Sequence, residues 1–402
     1  MTKKLEIPKF KVFYIKSDTD VTNFISQINE YSGPIAVDTE RAGSFRYDDR
    51  AYLIQIKYKN SPIFLIDPVE ISEDALDELA FHFNQETWII HAAGEDLPCL
   101  AELGMHPDKL FDTELAARLL NYERTALGYL TENLLDIELA KAYSNVDWST
   151  RPLPMEWLVY AALDVELLHK LKTKLSSKLR QAKKTRIANI EFNFLKDLPP
   201  REIPVEPWRK VHGLGKLKTR KQLAVARELW RVRDKLARIN DTAPHQLLKD
   251  RKLVELAEKL PKTVPQLQTI LRLPKYKRKE ANRWLGAIYQ GLRSRDLPEK
   301  RVRTTGVPPT SFWKERDELT YRRFKTTREL LQQKAMELNL PVEYLIAPNI
   351  IKELFWNNDL DNSSFSVKKA LKQTEARDWQ IKEIALLLEQ AISNPKPLSV
   401  LR

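Results

Sequence analysis

The chain has 402 residues, 43% of them apolar and 30% charged, with a net charge of +12 and a single cysteine. Such a length predicts two or three domains, and this balance of apolar and mixed-sign charged residues excludes a largely disordered chain. The lone Cys99 excludes an internal disulfide framework; in the apolar run Leu97-Pro98-Cys99-Leu100-Ala101 it reads as an inert core thiol in a reducing compartment.

The opening residues, Met1-Thr2-Lys3-Lys4-Leu5-Glu6, lack the apolar core of a secretory signal, and no stretch approaches membrane-spanning length. A soluble cytoplasmic protein with no membrane partner is expected. The charge is divided unevenly. Residues 1–200 hold 24 Lys and Arg against 31 Asp and Glu, residues 201–402 hold 43 against 24, and residues 201–300 are the most basic, at 26 against 11. An acidic half joined to a basic half suits one part that handles cations and another that holds a polyanion; a basic surface that only solubilises the chain would look the same.

Residues 1–9 read as a tail. Phe10 to Ile15 reads as a strand, and Asp18 to Tyr31 has helical spacing at Val21, Phe24, Ile25 and Ile28 before Ser32-Gly33-Pro34 breaks it. In the strand Ile35-Ala36-Val37-Asp38-Thr39-Glu40, alternation puts Asp38 and Glu40 on one face and Val37 and Thr39 on the other. Two carboxylates so close repel unless they are solvated, one is protonated, or a divalent cation lies between them. Taken alone, the pair is an ordinary solvated one. Tyr52 to Tyr58 and Pro62 to Asp67 read as a hairpin across Lys59-Asn60-Ser61. A helix over Glu73 to Asn84, a strand over Thr87 to His91 and a helix from about Glu95 follow. Leu110 to Leu120, Gly128 to Asp136 and Pro154 to Arg186 all read as helices, so the class is mixed α/β.

Asp96 falls where a strand passes through the small-residue turn Ala92-Ala93-Gly94 into a helix. Sheets of this kind hold ligands there, and a first-turn acid also caps a helix there. His91 reads as support for that turn. Tyr160 and Asp164 lie four apart on a helix and share a face with Trp157 and Leu168. An acid on so apolar a face needs a partner or a metal, and a Tyr160 to Asp164 hydrogen bond would serve.

The order Asp38-x-Glu40, Asp96, Tyr160-x-x-x-Asp164 resembles the tyrosine-bearing branch of the DEDD superfamily of 3′ to 5′ exonucleases. The surrounding stretches are similar to the ribonuclease D family: Ala36-Val37-Asp38-Thr39-Glu40, Leu53-Ile54-Gln55, His91-Ala92-Ala93-Gly94-Glu95-Asp96-Leu97, Asp112-Thr113, Asp147-Trp148-Ser149-Thr150-Arg151-Pro152-Leu153 and Tyr160-Ala161-Ala162-Leu163-Asp164-Val165. The resemblance implies an α/β RNase H-like (DnaQ-like) exonuclease domain with a mixed sheet. It implies four acids converging on two divalent cations, Mg²⁺ or Mn²⁺, without which so many carboxylates could not share one point. By resemblance Asp38 bridges both ions, Glu40 and Asp164 complete the site of the attacking water, Asp96 holds the second ion largely through water, and Tyr160 orients the water. The six scattered histidines offer no rival cluster.

Candidate RNA contacts follow. Lys141 and Arg151 could hold phosphate and Trp148 could pack on a terminal base, although Trp148 could equally anchor the core and Asp147 or Ser149 act as a cap. Phe45, Tyr47 and Tyr52 could stack on terminal nucleotides, with Tyr52 also claimed by the sheet.

Residues 1–198 thus read as the exonuclease domain and 199–207 as a proline-rich linker. Residues 208–294 form an all-helical region whose text from Glu228 to Arg238 and from Pro244 to Leu248 resembles an HRDC domain. A second linker covers 295–309. In residues 310–402, Glu329 to Asn339 and Pro341 to Leu345 repeat the apolar spacing, so a second, diverged HRDC-like bundle is expected. Lys216, Lys218, Arg220 and Lys221 are the expected phosphate contacts of the first bundle; protein docking is the alternative role. No G-x-x-x-x-G-K-[ST] loop occurs, which argues against a helicase and a nucleotide cofactor. The expected function is a metal-dependent 3′ to 5′ exoribonuclease releasing nucleoside 5′-monophosphates, with transfer RNA precursors and other structured RNA the substrates implied by resemblance. A DNA-directed exonuclease and a catalytically silent RNA-binding scaffold are the alternatives.

Overall fold

The computed structural model describes residues 3–28, 30–140, 143, 145–199, 204–300, 306–361 and 366–400. Lys141 and parts of both linkers lie outside them.

The N-terminal region contains strands β1 (Lys3–Leu5), β2 (Val12–Ile15), β3 (Ile35–Arg41), β4 (Ala51–Tyr58), β5 (Ile63–Ile66), β6 (Thr87–Ile90), β7 (Lys109–Asp112) and β8 (Ile137–Leu139). Its helices are α1 (Asp18–Ile28), α2 (Glu73–Phe83), α3 (Leu97–Ala101), α4 (Thr113–Leu119), α5 (Leu127–Leu135), α6 (Met155–Glu166), α7 (Leu168–Gln181) and α8 (Thr185–Lys196). The main sheet has six strands in the order β2-β5-β4-β3-β6-β7, and only β4 runs antiparallel to its neighbours.

Because β4 lies inside the sheet with both faces covered, every one of its residues is buried. Phe24 of α1 contacts Phe64 and Phe83, so α1 and α2 cover the face that carries Val37, Ile56 and Phe64. The opposite face, with Ala36, Asp38, Gln55 and Lys57, receives α6, and Phe192 of α8 packs on Phe111 of β7 beside it.

Three expectations are corrected. Leu110 to Leu120 is not one helix, because Lys109–Asp112 adds an edge strand to β6 and the helix starts only at Thr113. Pro154 to Arg186 is divided between α6, α7 and the start of α8. The supposed tail contains β1, which pairs in parallel with the distant β8, Lys3 opposite Ile137 and Leu5 opposite Leu139; Leu5, Ile137, Leu139, Leu163 and Leu167 form a small core of their own.

Beyond residue 204 the structure is helical. The first bundle has α9 (Arg220–Ile239), α10 (Pro244–Leu247), α11 (Asp250–Lys259), α12 (Val264–Leu271) and α13 (Arg278–Arg293). After α14 (Thr310–Arg316), the second has α15 (Glu318–Glu337), α16 (Val342–Leu345), α17 (Pro348–Asn357), α18 (Val367–Lys372) and α19 (Asp378–Ser393). The repeat read in the sequence therefore has a structural counterpart: helices of 20, 4, 10, 8 and 16 residues recur as 20, 4, 10, 6 and 16. Each bundle has its own apolar core. In the first, α9 and α13 approach so closely that a Cβ on Gly291 would lie 2.5 Å from the Val225 Cα, which excludes any larger residue there.

Candidate active site

The strand alternation read in the sequence places Asp38 and Glu40 on the face covered by α6, and α6 brings Asp164 to them. The carboxylate oxygens of Asp38, Glu40 and Asp164 lie within 4.8 Å of one another. Asp96, at the N-terminus of α3, is buried beside them but stands outside that triad. Its side chain makes no capping bond. It accepts a hydrogen bond from the Thr39 hydroxyl at 2.7 Å and faces the Arg41 guanidinium at 4.0 Å. The structure thus removes helix capping as the reason for Asp96, and removes the solvated surface pair as the reason for Asp38 and Glu40.

Burial raises all four carboxyls, and neighbouring acids raise each of them further. Glu40 is pushed up to about 9 by burial, then by Asp164 and Asp96. Asp38 is pushed well above the usual carboxylate range by burial, then by Asp96, Asp164 and Glu40. Asp164 rises to about 7 through burial and Asp96, and Asp96 to about 6 through burial, which the Thr39 bond and Arg41 partly oppose. Four carboxylates cannot all be ionised here unless positive charge is supplied. An all-oxygen donor set of this kind suits a hard divalent cation, so the residues present fit Mg²⁺ or Mn²⁺.

Tyr160 lies one turn before Asp164. Among the described residues its hydroxyl has no hydrogen-bond partner, so the Tyr160 to Asp164 bond considered from the sequence is not formed. Burial and the neighbouring Asp164, Glu40 and Asp38 raise its pKa, which keeps it a phenol. Its ring meets Tyr143 edge-on, with centroids 6.0 Å apart, and Trp148 at a tilt of 31°, with centroids 6.4 Å apart.

The secondary candidates divide. Trp148 is 1% exposed, packed between Trp157 and Tyr160, and so cannot present its face to a base. Arg151 bonds the buried Asp67 at 2.6 Å and the carbonyls of Tyr52, Trp148 and Thr150, so it braces the fold and has no free edge for phosphate. Tyr52 is buried in β4. Tyr47 donates to Asp234 of α9 at 2.9 Å and accepts from Arg238 at 3.0 Å, which makes it a strut to the first bundle. Phe45 is half-buried and belongs to none of the apolar cores. In the basic region, Lys216 and Lys218 are exposed. Lys221 is occupied by the carbonyls of Leu292 and Ser294, and Arg220 by those of Leu297 and Pro298 and by Glu299.

Sequence reasoning missed several supports. Arg41 directly follows Glu40 and reaches Asp49 at 2.7 Å and Glu95 at 3.6 Å. Asp112 accepts from the backbone N–H groups of Ala92, Ala93, Glu114 and Leu115, which fixes the turn that delivers Asp96; His91, as expected, braces this turn through Thr113 at 2.9 Å. In the first bundle, the exposed Arg272, Lys275, Lys277, Arg278, Lys279 and Arg283 flank Tyr276 in the sequence, and Tyr276 is 82% exposed. Basic residues interleaved with an aromatic were legible there, but exposure was not.

Residues 12–180 match a family described as "3'-5' exonuclease", residues 222–288 the HRDC domain, and residues 306–392 a family described as "3' to 5' exonuclease C-terminal domain". The ribonuclease D of Bartonella henselae is 28% identical over 264 residues, which span 64% of this chain and 64% of that enzyme, less than two thirds of its length. A crystal structure of a protein from Bifidobacterium adolescentis is 32% identical, with a TM-score of 0.84 over 98% of this chain and 100% of that one. The crystal structure of Escherichia coli RNase D shares the fold at 22% identity, with a TM-score of 0.67 over 96% of this chain and 100% of that one. The convergence of Asp38, Glu40 and Asp164, with Asp96 beside them and Tyr160 on the helix of Asp164, agrees with these matches, and the chain belongs to the ribonuclease D family of 3′ to 5′ exonucleases.

Proposed function

We propose that the chain is a metal-dependent 3′ to 5′ exoribonuclease that removes nucleotides as 5′-monophosphates. The observation that carries this is the meeting of Asp38, Glu40 and Asp164 oxygens within 4.8 Å beneath a tyrosine hydroxyl that bonds nothing else among the described residues. Two divalent cations, held by these acids and by Asp96, would activate the attacking water and stabilise the departing 3′ oxygen. Tyr160, kept protonated by its surroundings, donates a hydrogen bond to that water and fixes its approach. The aromatic packing of Tyr143 and Trp148 holds the Tyr160 ring in place for that task. Tyr160→Phe is expected to lower kcat by roughly 10- to 100-fold with little change in KM, measured on a 5′-labelled oligoribonucleotide.

The description of the Escherichia coli structure as an exoribonuclease involved in structured RNA processing supports structured RNA as the substrate; transfer RNA precursors are the physiological form that the sequence resemblance implies. The polyanion is held by the first bundle through Lys216, Lys218 and the basic cluster around Tyr276, with Phe45 stacking near the terminal nucleotide. Tyr276→Ala is expected to weaken the binding of single-stranded RNA by about 1–3 kcal/mol, and reversing Lys275 and Lys279 to lower the salt slope by about 1 for each phosphate no longer neutralised. Filter binding over a salt series would measure both.

The test of this function is a 5′-labelled RNA and a DNA of equal sequence, incubated with Mg²⁺, Mn²⁺ or EDTA. A ladder shortening from the 3′ end of RNA, abolished by EDTA, supports it. Preferential shortening of DNA would make the chain a DNA exonuclease, and undiminished release of nucleotides under EDTA would overturn the metal mechanism.

A further inference from the structure

Gln55 lies in the middle of β4 and is 0% exposed, yet neither its Nε2 nor its Oε1 has a hydrogen-bond partner among the described residues. A buried primary amide has two donors and two acceptor sites, and leaving all of them unmade disfavours the folded state. Nothing in the backbone requires glutamine there: the strand is otherwise Ala, Tyr, Leu, Ile, Ile, Lys and Tyr, and an apolar side chain would fill the place without that penalty.

The position of Gln55 suggests what the penalty serves. In the antiparallel register Gln55 stands directly opposite Asp38 on β3, so the two side chains leave the same face of the sheet as neighbours. Its partner on the other side, on β5, is the apolar Leu65. Asp38 is thus the one polar cross-strand neighbour of Gln55, and the same Asp38 belongs to the carboxylate triad with Glu40 and Asp164. A carboxylate that must hold a cation with one oxygen in a fixed direction needs a donor on its other oxygen or its rotamer drifts. We propose that Gln55 is a positioning residue whose amide N–H orients the Asp38 carboxylate for divalent-cation binding. The inference rests on the reading of Asp38 as a cation-holding carboxylate.

The same strand carries its own control. Lys57 is two residues on, on the same face and equally buried, but its ammonium bonds the carbonyls of Tyr58, Lys59 and Ser61, away from the acids. Replacing it disturbs strand packing without touching Asp38.

Gln55→Met and Lys57→Met would each be compared with the unaltered chain by calorimetric Mn²⁺ titration and by thermal melting of the EDTA-treated protein. Gln55→Met is expected to weaken Mn²⁺ binding about 10- to 100-fold while the metal-free Tm stays the same or rises, because an orphaned amide has been removed. Lys57→Met is expected to lower the metal-free Tm and leave Mn²⁺ affinity within about threefold. Unaltered Mn²⁺ affinity in Gln55→Met overturns the proposal, and so does an equal loss of affinity in both variants, which would mean that any disturbance of β4 has the same effect. Failure of the unaltered chain to bind Mn²⁺ at all would refute the parent reading of Asp38 and is visible before either variant is made.

Discussion

Asp38→Asn is expected to reduce nucleotide release by at least about 10³-fold, roughly 4 kcal/mol of transition-state stabilisation, with the protein still folded and still bound to RNA. The substitution keeps the shape of the side chain and removes the charge from the middle of a cluster whose other members are Glu40 and Asp164. Asn still offers one carbonyl oxygen, but with no negative charge to hold a cation against desolvation. The variant should therefore lose activity through kcat. It should also melt no lower than the parent in EDTA, because burial and three neighbouring acids already oppose ionisation of Asp38. Single-turnover assays with saturating RNA, set beside thermal melting, would check both halves. Activity within tenfold of the parent would remove Asp38 from the chemistry.

The second large effect is on stability, and its sign follows from the same carboxyls. Asp96, Asp164 and Glu40 are raised to about 6, 7 and 9, and Asp38 is raised as well. An acid whose folded pKa lies above its unfolded value contributes stability that is full below the unfolded value and is lost as the pH climbs through the folded one. The metal-free protein should therefore weaken steadily from about pH 4 to about pH 9, by on the order of several kcal/mol at this site alone. A divalent cation binds the ionised form and should reverse that loss. The gain in Tm on adding Mn²⁺ to the EDTA-treated protein should be small near pH 5 and largest near pH 8. A gain that shrinks as the pH rises would contradict the clustering of the acids.

How far the sequence could be read depended on the range of the interactions. β3, β4 and β5 were legible because alternation and a short hairpin connection are local properties, and the order of the five candidate site residues was legible from motif text. The face shared by Asp38 and Glu40 followed from strand periodicity alone. What failed depended on distant partners. β1 and β8 are three residues each and exist only because they pair with one another. Lys109–Asp112 precedes a helix-forming run, and only the open edge of β6 makes it a strand. Arg151 and Tyr47 resembled substrate contacts, but Asp67 and Asp234 engage them. For the same reason Arg220 and Lys221, basic and early on a helix, are bound to carbonyls far along the chain, at Pro298 and Leu292.

The two helical bundles are fastened to the catalytic body by contacts of different kinds. The second is held by Arg377 on the buried Glu191, at 2.6 and 2.9 Å, and by Lys184, whose ammonium bonds the carbonyls of Leu119 and Asn339. The first meets the loop just after Glu40 through partly exposed charges, Arg46 and Arg50 against Asp241, and through Tyr47. Mobile ions screen the exposed set and scarcely reach the buried one. Titrating with salt therefore acts twice on the first bundle: on the hold we propose its basic surface has on phosphate, and on the joint that ties the bundle to the loop after Glu40. A salt slope measured on the whole chain will accordingly be steeper than the neutralised phosphates alone would give, and the surplus measures the joint.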